Sequence, residues 1–220
     1  YKEIEELSKF LRKKWKFNSL PIYSLLNFLE DLGIKIFEVD RDEDFIGLSC
    51  WIKKTPVIVF NIRNKNVSRR RFTVLNELGH LLMSFDNRLK EKMVERFCDQ
   101  FAGAMLLPKE VLEEYLSFDN ITLNELNRIK SKFGISIQAI LIRLVNIKYI
   151  DWEKYHEWME LYKSWDNNKV SFQVPESVNR FDYLLYRAVR EKKITYIKAC
   201  ELVQIPVSEL RANINKIFIK

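Results

Sequence analysis

The hydrophobic positions of this chain change period twice. Ile4, Leu7, Phe10 or Leu11, and Trp15 recur at helical spacing, with glutamates before them and Arg12-Lys13-Lys14 after, an order that suits the helix macrodipole. The basic run reads as a solvated helix end. Pro21 opens a second helix through Asp31, with Leu25, Leu26, Phe28 and Leu29 inward and Gly33 as its stop. From Ile34 to Val39 the period falls to two. Phe45–Ile52 and Pro56–Ile62 repeat that alternation, with Arg41–Asp44 as a charged turn. Three short strands in this order predict a small mixed or antiparallel sheet.

After the polar segment Arg63–Ser68 the helical period returns and stays. A long helix over about Arg71–Met83 presents Val74, Leu75, Leu78, Leu81 and Leu82 on one face. Leu89–Leu106 follows, with a core stripe of Met93, Phe97, Phe101 and Met105; Pro108 stops it and Lys109–Leu116 adds a short helix. Thr122-Leu-Asn-Glu125 is a capping box opening a helix to Phe133; Gly134 turns the chain and Ser136 caps a helix to about Val145. Near the end, Thr195–Val203, a turn through Gln204-Ile-Pro206 and Val207–Ile217 form a second pair of the helix-turn-helix kind. The polar stretch Ser164–Pro175 is the best linker. The expected class is α+β: a domain over 1–118, a helical segment over 119–163 packed on it, and a linker with a C-terminal helical segment over 164–220.

Composition narrows this picture little. Hydrophobic residues make up 47% and charged residues 30%, an ordinary globular balance. A net charge of +7 permits nucleic acid or acidic partners, although lysine-rich solvated helix faces give the same total. Three scattered cysteines, Cys50, Cys98 and Cys200, in no C-x-x-C pair, suit a reducing cytoplasm rather than a disulfide framework. The longest apolar runs, such as Ile140–Val145, are short and interrupted by charge, so no signal peptide, membrane span or membrane partner is expected. A start at Tyr1 rather than Met leaves room for residues upstream.

Candidate chemistry sits between Arg71 and Pro108. Asn76-Glu77-Leu78-Gly79-His80 is one residue short of His-Glu-x-x-His, in which two histidines four apart lie on one helical face and hold zinc. The glutamate beside the first histidine then serves as general base on zinc-bound water. A catalytic zinc needs three protein ligands and an open position. Glu95, about fifteen residues on and in the next helix, supplies a carboxylate at the right remove. The plainer readings are a satisfied core histidine at 80 and surface carboxylates at Glu77, Glu95 and Asp99.

Taken together, Arg71-Phe-Thr-Val-Leu-Asn-Glu-Leu-Gly-His-Leu-Leu and Glu95-x-x-Cys-Asp-x-Phe-Ala-x-x-Met-Leu-Leu-Pro108 resemble the ImmA/IrrE family of metallopeptidases. Its pattern runs approximately R-F-T-x-A-H-E-x-G-H, then E-x-x-A-N-x-F-A-x-x-L-L-x-P. The resemblance covers most of the chain from about Pro21 and includes Phe45-Ile-Gly-Leu-Ser, Val57-Ile-Val-Phe-Asn61 and both helix pairs. It implies a zincin-like fold, His80 and Glu95 as zinc ligands, Glu77 as general base, and Gly79 as a point of close helix packing. It also implies a cytoplasmic endopeptidase of regulation and stress response that cleaves a helix-turn-helix repressor or antitoxin, often encoded beside it.

Asn76 is the departure, because it stands where the first ligand histidine belongs. An amide oxygen on a shorter side chain is a poor zinc ligand, so bound Zn2+ should be weak or absent and catalysis impaired. The replacement fits an inactivating substitution, favoured by intact Glu77, His80 and Glu95, or a natural pseudo-enzyme. The alternative function is accordingly a non-catalytic toxin–antitoxin or regulatory protein that grips its partner, or DNA, through this domain.

For DNA, the second helix of the first pair offers Gln138, Arg143 and Asn146. That of the second pair offers Arg211, Asn213, Asn215 and Lys216, with Glu209 set against phosphate. Helix packing or protein binding is the favoured reading of both.

Overall fold

The computed structural model describes residues 2–42, 44–63, 66–117, 121–163, 171–174, 176–178 and 180–218. The chain divides into two compact units, Tyr1–Ser177 and Val178–Lys220. The expected linker Ser164–Pro175 and the expected boundary at 118/119 lie largely outside the described residues.

The first unit is α+β. Helix α1 (Lys2–Lys14) and the short α2 (Leu25–Asp31) precede strands β1 (Lys35–Val39), β2 (Gly47–Ile52) and β3 (Thr55–Asn61). The sheet order is β1-β3-β2, with β1 parallel to β3 and β2 antiparallel to it, so the sheet is mixed and β2 lies at an edge. Cys50 pairs with Val57 and Ile52 with Thr55 across a two-residue hairpin turn, in which Lys53 takes φ 58°. Helices α3 (Val67–Leu82) and α4 (Glu91–Leu106) follow, and α3 packs against α4, β2 and β3. Val74, Leu75 and Leu78 of α3, Ile58 and Phe60 of β3, and Phe101 and Met105 of α4 are all buried where α3 packs on β3 and α4.

Helices α5 (Lys109–Tyr115), α6 (Leu123–Phe133), α7 (Ile137–Asn146) and α8 (Trp152–Lys163) complete the unit. The capping box forms as expected: Glu125 N donates to Thr122 Oγ1 and Thr122 N donates to Glu125. Gly134 closes α6 at φ 64°, and a Cβ there would lie 2.7 Å from Arg71 Nε, so both backbone and space require glycine.

Several expectations need correction. The second helix begins at Leu25 rather than Pro21. The long helix begins at Val67, because the Asn66 side chain caps it by accepting from Arg69 N at 3.3 Å. Arg12 is no solvated helix end. It is 2% exposed, and its guanidinium donates to the carbonyls of Asn18, Leu20 and Met105, tying α1 to α4. Burial brings its pKa down to about 10. Arg143 is likewise buried, forked onto the Glu5 carboxylate and donating to Leu107 O at 3.1 Å, so it cannot read DNA.

A third buried arginine anchors α3. Arg71 is paired with Glu176 and donates to Ile22 O at 2.7 Å and Phe133 O at 3.3 Å, under the Phe172 ring. Glu176 in turn accepts from Leu25 N and Leu26 N, each at 3.2 Å, and so caps α2, whose own N-cap Ser24 makes no side-chain cap.

The second unit holds α9 (Arg180–Arg190), α10 (Tyr196–Val203) and α11 (Val207–Phe218) around Leu185, Tyr186, Val189, Ala199, Leu210 and Ile214. Thr195 caps α10 by accepting from Lys198 N, and Gln204 turns the chain in the left-handed region at φ 54°. No helix among the described residues is long and apolar enough to cross a membrane.

Candidate functional site: the cleft between helices α3 and α4

Helices α3 and α4 come close because Gly79 has no side chain. A Cβ there would lie 3.4 Å from Cys98 Cα and 3.2 Å from Phe101 Cδ1. The close approach puts Asn76 and His80, four apart on α3, opposite Asp99 and Glu95, four apart on α4. The helices run in opposite directions at this point, so the partners cross over. Asn76 Nδ2 donates to Asp99 Oδ1 at 2.8 Å, and His80 Nε2 lies 3.0 Å from Glu95 Oε1.

Glu77 points the other way, toward the sheet. It is 9% exposed and lodges over Gly47 of β2, where an added Cβ would sit 2.7 Å from its Oε1. Ser49 hydrogen-bonds its carboxylate. Burial raises the Glu77 pKa above the usual carboxylate value, and Glu95 adds to the rise; the Ser49 hydrogen bond and His80 act against it. Burial likewise raises Asp99, opposed by the hydrogen bond from Asn76. Cys98, fully enclosed behind these carboxylates, has its thiol pushed up to about 12 by burial and then by Glu95, Asp99 and Glu77. It is a packed thiol, which burial keeps from ionising.

Sequence reasoning pointed to Asn76, Glu77, His80 and Glu95, and the structure gathers all four. It missed Gly47 and Ser49, which locate Glu77 and are signalled only by the small residues of Phe45-Ile-Gly-Leu-Ser. Asp99 is the exposed surface carboxylate expected, and it is also the acceptor that faces Asn76. Its position four residues after Glu95 was the available signal.

Asn76, Glu77 and Glu95, with Asp99, open onto a cleft of about 1140 Å³. It is lined by α3 and α4, by the segment Asp44–Gly47 entering β2, and by α7 with its N-cap, through Ser136, Gln138 and Asn146. Of the first helix pair, α7 alone lines this cleft. The adjoining edge strand carries exposed Leu48, Trp51 and Ile52.

Zinc bound here in the manner the resemblance implies would draw on His80, Glu95 and the residue at 76. Two of those ligands are present. At the third, Asn76 turns its NH2 toward Asp99, and a donor cannot coordinate a cation. Among the described residues, no group of three or more His, Cys, Asp or Glu side chains is arranged to hold a metal ion. The donor set does not fit a catalytic zinc.

Residues 29–145, over half of the chain, match the family model Peptidase_M78, described as the IrrE N-terminal-like domain. Among solved structures, a Mycobacterium tuberculosis transcriptional regulator is similar at 16% identity with a TM-score of 0.49; the match covers 66% of this chain and 47% of that one. The chain thus spans about half the length of that regulator. No curated protein sequence matches it.

Proposed function

The chain belongs to the Peptidase_M78 family, and within it we propose that it works as a regulatory protein that grips a segment of a partner protein in the α3–α4 cleft without zinc-dependent cleavage. The observation that carries this reading is the Asn76–Asp99 hydrogen bond. Both residues depart from the family's pattern, which has histidine at the first position and asparagine at the second. The two departures face each other, donor to acceptor. An asparagine at 99 could also accept from Asn76; the aspartate makes that acceptor charged and the hydrogen bond stronger. This favours a natural pseudo-enzyme over an isolated inactivating substitution.

The cleft and the edge strand supply the grip. An extended peptide adds to an open sheet edge through main-chain hydrogen bonds, while pockets beside it take alternate side chains. Strand β2 has such an edge, and the segment entering it lines the cleft. The partner class that the family resemblance implies is a helix-turn-helix repressor or an antitoxin.

Intact Glu77, His80 and Glu95 support the second reading, a weakened zinc endopeptidase, and one experiment separates the two. The purified chain, Asn76→His and Glu77→Gln are each assayed for zinc by mass spectrometry and incubated with any helix-turn-helix repressor or antitoxin that a neighbouring gene encodes. The expected result is little zinc and no cleavage by the native chain, partner binding kept in Glu77→Gln, and zinc gained by Asn76→His. One zinc per native chain with partner cleavage abolished by Glu77→Gln would overturn the non-catalytic reading.

A further inference from the structure

The basic charge of this chain is concentrated in its second unit. Residues 178–220 hold nine Lys and Arg against four Asp and Glu, a net +5 of the chain's +7 in 43 residues. The unit's fold puts that charge around a particular pair of helices. α10 and α11 are joined by the three-residue turn Gln204-Ile-Pro206, with Gln204 in the left-handed region, and both rest on α9 through one apolar core.

The outer face of α11 follows from its inner one. Leu210 and Ile214 are the buried stripe. Ser208, Arg211, Ala212 and Asn215, at i, i+3, i+4 and i+7, are all exposed and lie away from it. These four residue types read base edges in the major groove: arginine forks onto guanine, asparagine onto adenine, serine accepts or donates, and alanine packs on a thymine methyl. No acid falls among the four. Arg211 is already oriented, its guanidinium carbon 5.3 Å from the centre of the Tyr196 ring on α10. Asn213, a candidate reader by sequence, drops out, because it is half-buried and its Nδ2 lies 3.5 Å from Tyr186 Oη.

Positive charge flanks this face. Lys198 lies on α10, ion-paired to exposed Glu201 at 3.0 Å, and Lys216 lies on the last turn of α11; both lysines are exposed. At the α9 C-terminus Arg187 and Lys193 hold Glu191 between them, which draws that carboxyl down to about 2 and leaves the cluster, with Lys192, net positive. Glu209 is the one exposed acid on α11.

We propose that the second unit is a DNA-binding helix-turn-helix, with α11 in the major groove of a duplex and Ser208, Arg211, Ala212 and Asn215 facing the bases. Lys192, Lys198 and Lys216 contact the phosphates. This site lies outside the α3–α4 cleft and stands whether or not the cleft binds a protein.

The test uses the full chain and a fluorescent pool of random 25-base-pair duplexes, taken through rounds of selection, with binding followed by anisotropy at rising salt. Expected are binding at low salt, a log–log salt slope of about −3 from some three phosphate contacts, and an enriched motif. Arg211→Ala with Asn215→Ala should weaken binding to the selected duplex at least tenfold while sparing the salt slope. Lys216→Ala should weaken all duplexes alike and lower that slope by about 1. Circular dichroism confirms that each variant is folded. No duplex binding by the folded chain at low salt overturns the proposal. So does binding indifferent to Arg211 and Asn215, or capture of a protein through exposed Ile197 and Leu202 with no affinity for duplex.

Discussion

Asn76 and Asp99 are joined by a 2.8 Å hydrogen bond across α3 and α4, with His80 and Glu95 at 3.0 Å one turn away. The two pairs fasten the helices at the point where Gly79 lets them approach. Asn76→Ala leaves Asp99 without its donor, and the loss of a hydrogen bond to a partly exposed charged group costs about 1 kcal/mol. A double-mutant cycle with Asp99→Ala, read by urea denaturation, should give a coupling of that order; additive single effects would show that the bond contributes nothing.

Zinc should separate native from restored protein. In Asn76→His an imidazole replaces the amide at the position opposite Asp99, one helical turn from the His80–Glu95 pair. The expected outcome is a thermal midpoint that rises with added zinc in the variant and is unmoved in the native chain, since a ligand stabilises only the state that binds it. A chelator should reverse the rise. Equal zinc response of both proteins would mean that Asn76 does not decide metal binding.

The sequence exposed this site more readily than the frame that holds it. Asn76, His80 and Glu95 were legible because helical spacing places them on facing turns, Glu77 because it adjoins them in the motif, and the three strands because their alternation is clear. The buried arginines were not. Arg12, Arg71 and Arg143 belong to a residue type that is exposed almost everywhere unless paired. Arg12 has local partners in Asn18 and Leu20, but each arginine also has a remote one: Met105 lies 93 residues from Arg12, Glu176 lies 105 from Arg71, and Glu5 lies 138 from Arg143. No local period carries that information. The α3 start was missed for a smaller reason, that Asn66 caps it from within a polar run read as loop. Ser49 and Gly47 escaped because small residues near a site show their use only once Glu77 is seen resting on them.

That resting place gives Glu77 a pH signature. Its folded pKa is raised, so the folded state holds its proton more tightly than the unfolded chain. The stability this contributes is full below the unfolded carboxylate value and is lost as pH rises through the raised one. Glu77→Gln keeps the shape and removes the buried charge. Relative to the native chain, the variant should therefore gain thermal stability as pH is raised from 4 toward 7, with the difference smallest at the acid end. A difference independent of pH would place the Glu77 carboxylate in water.

Arg71 and Glu176 give the largest predicted loss. Both side chains are 0% exposed, and together they bind α3, the Ile22 and Phe133 carbonyls and the N-terminus of α2. Removing one member of a buried pair leaves the other charge uncompensated, at a cost of about 3–5 kcal/mol. Arg71→Met and Glu176→Leu should each destabilise the first unit by that order in urea unfolding. The double variant should recover part of the loss, since neither charge is then stranded. The recovery will be incomplete: the Leu25 and Leu26 amides lose their cap with Glu176, and the two carbonyls lose their donor with Arg71. Single variants within about 1 kcal/mol of native would mean that water reaches the pair, and α3 would then owe its position to the apolar layer of Val74, Leu75 and Leu78 alone.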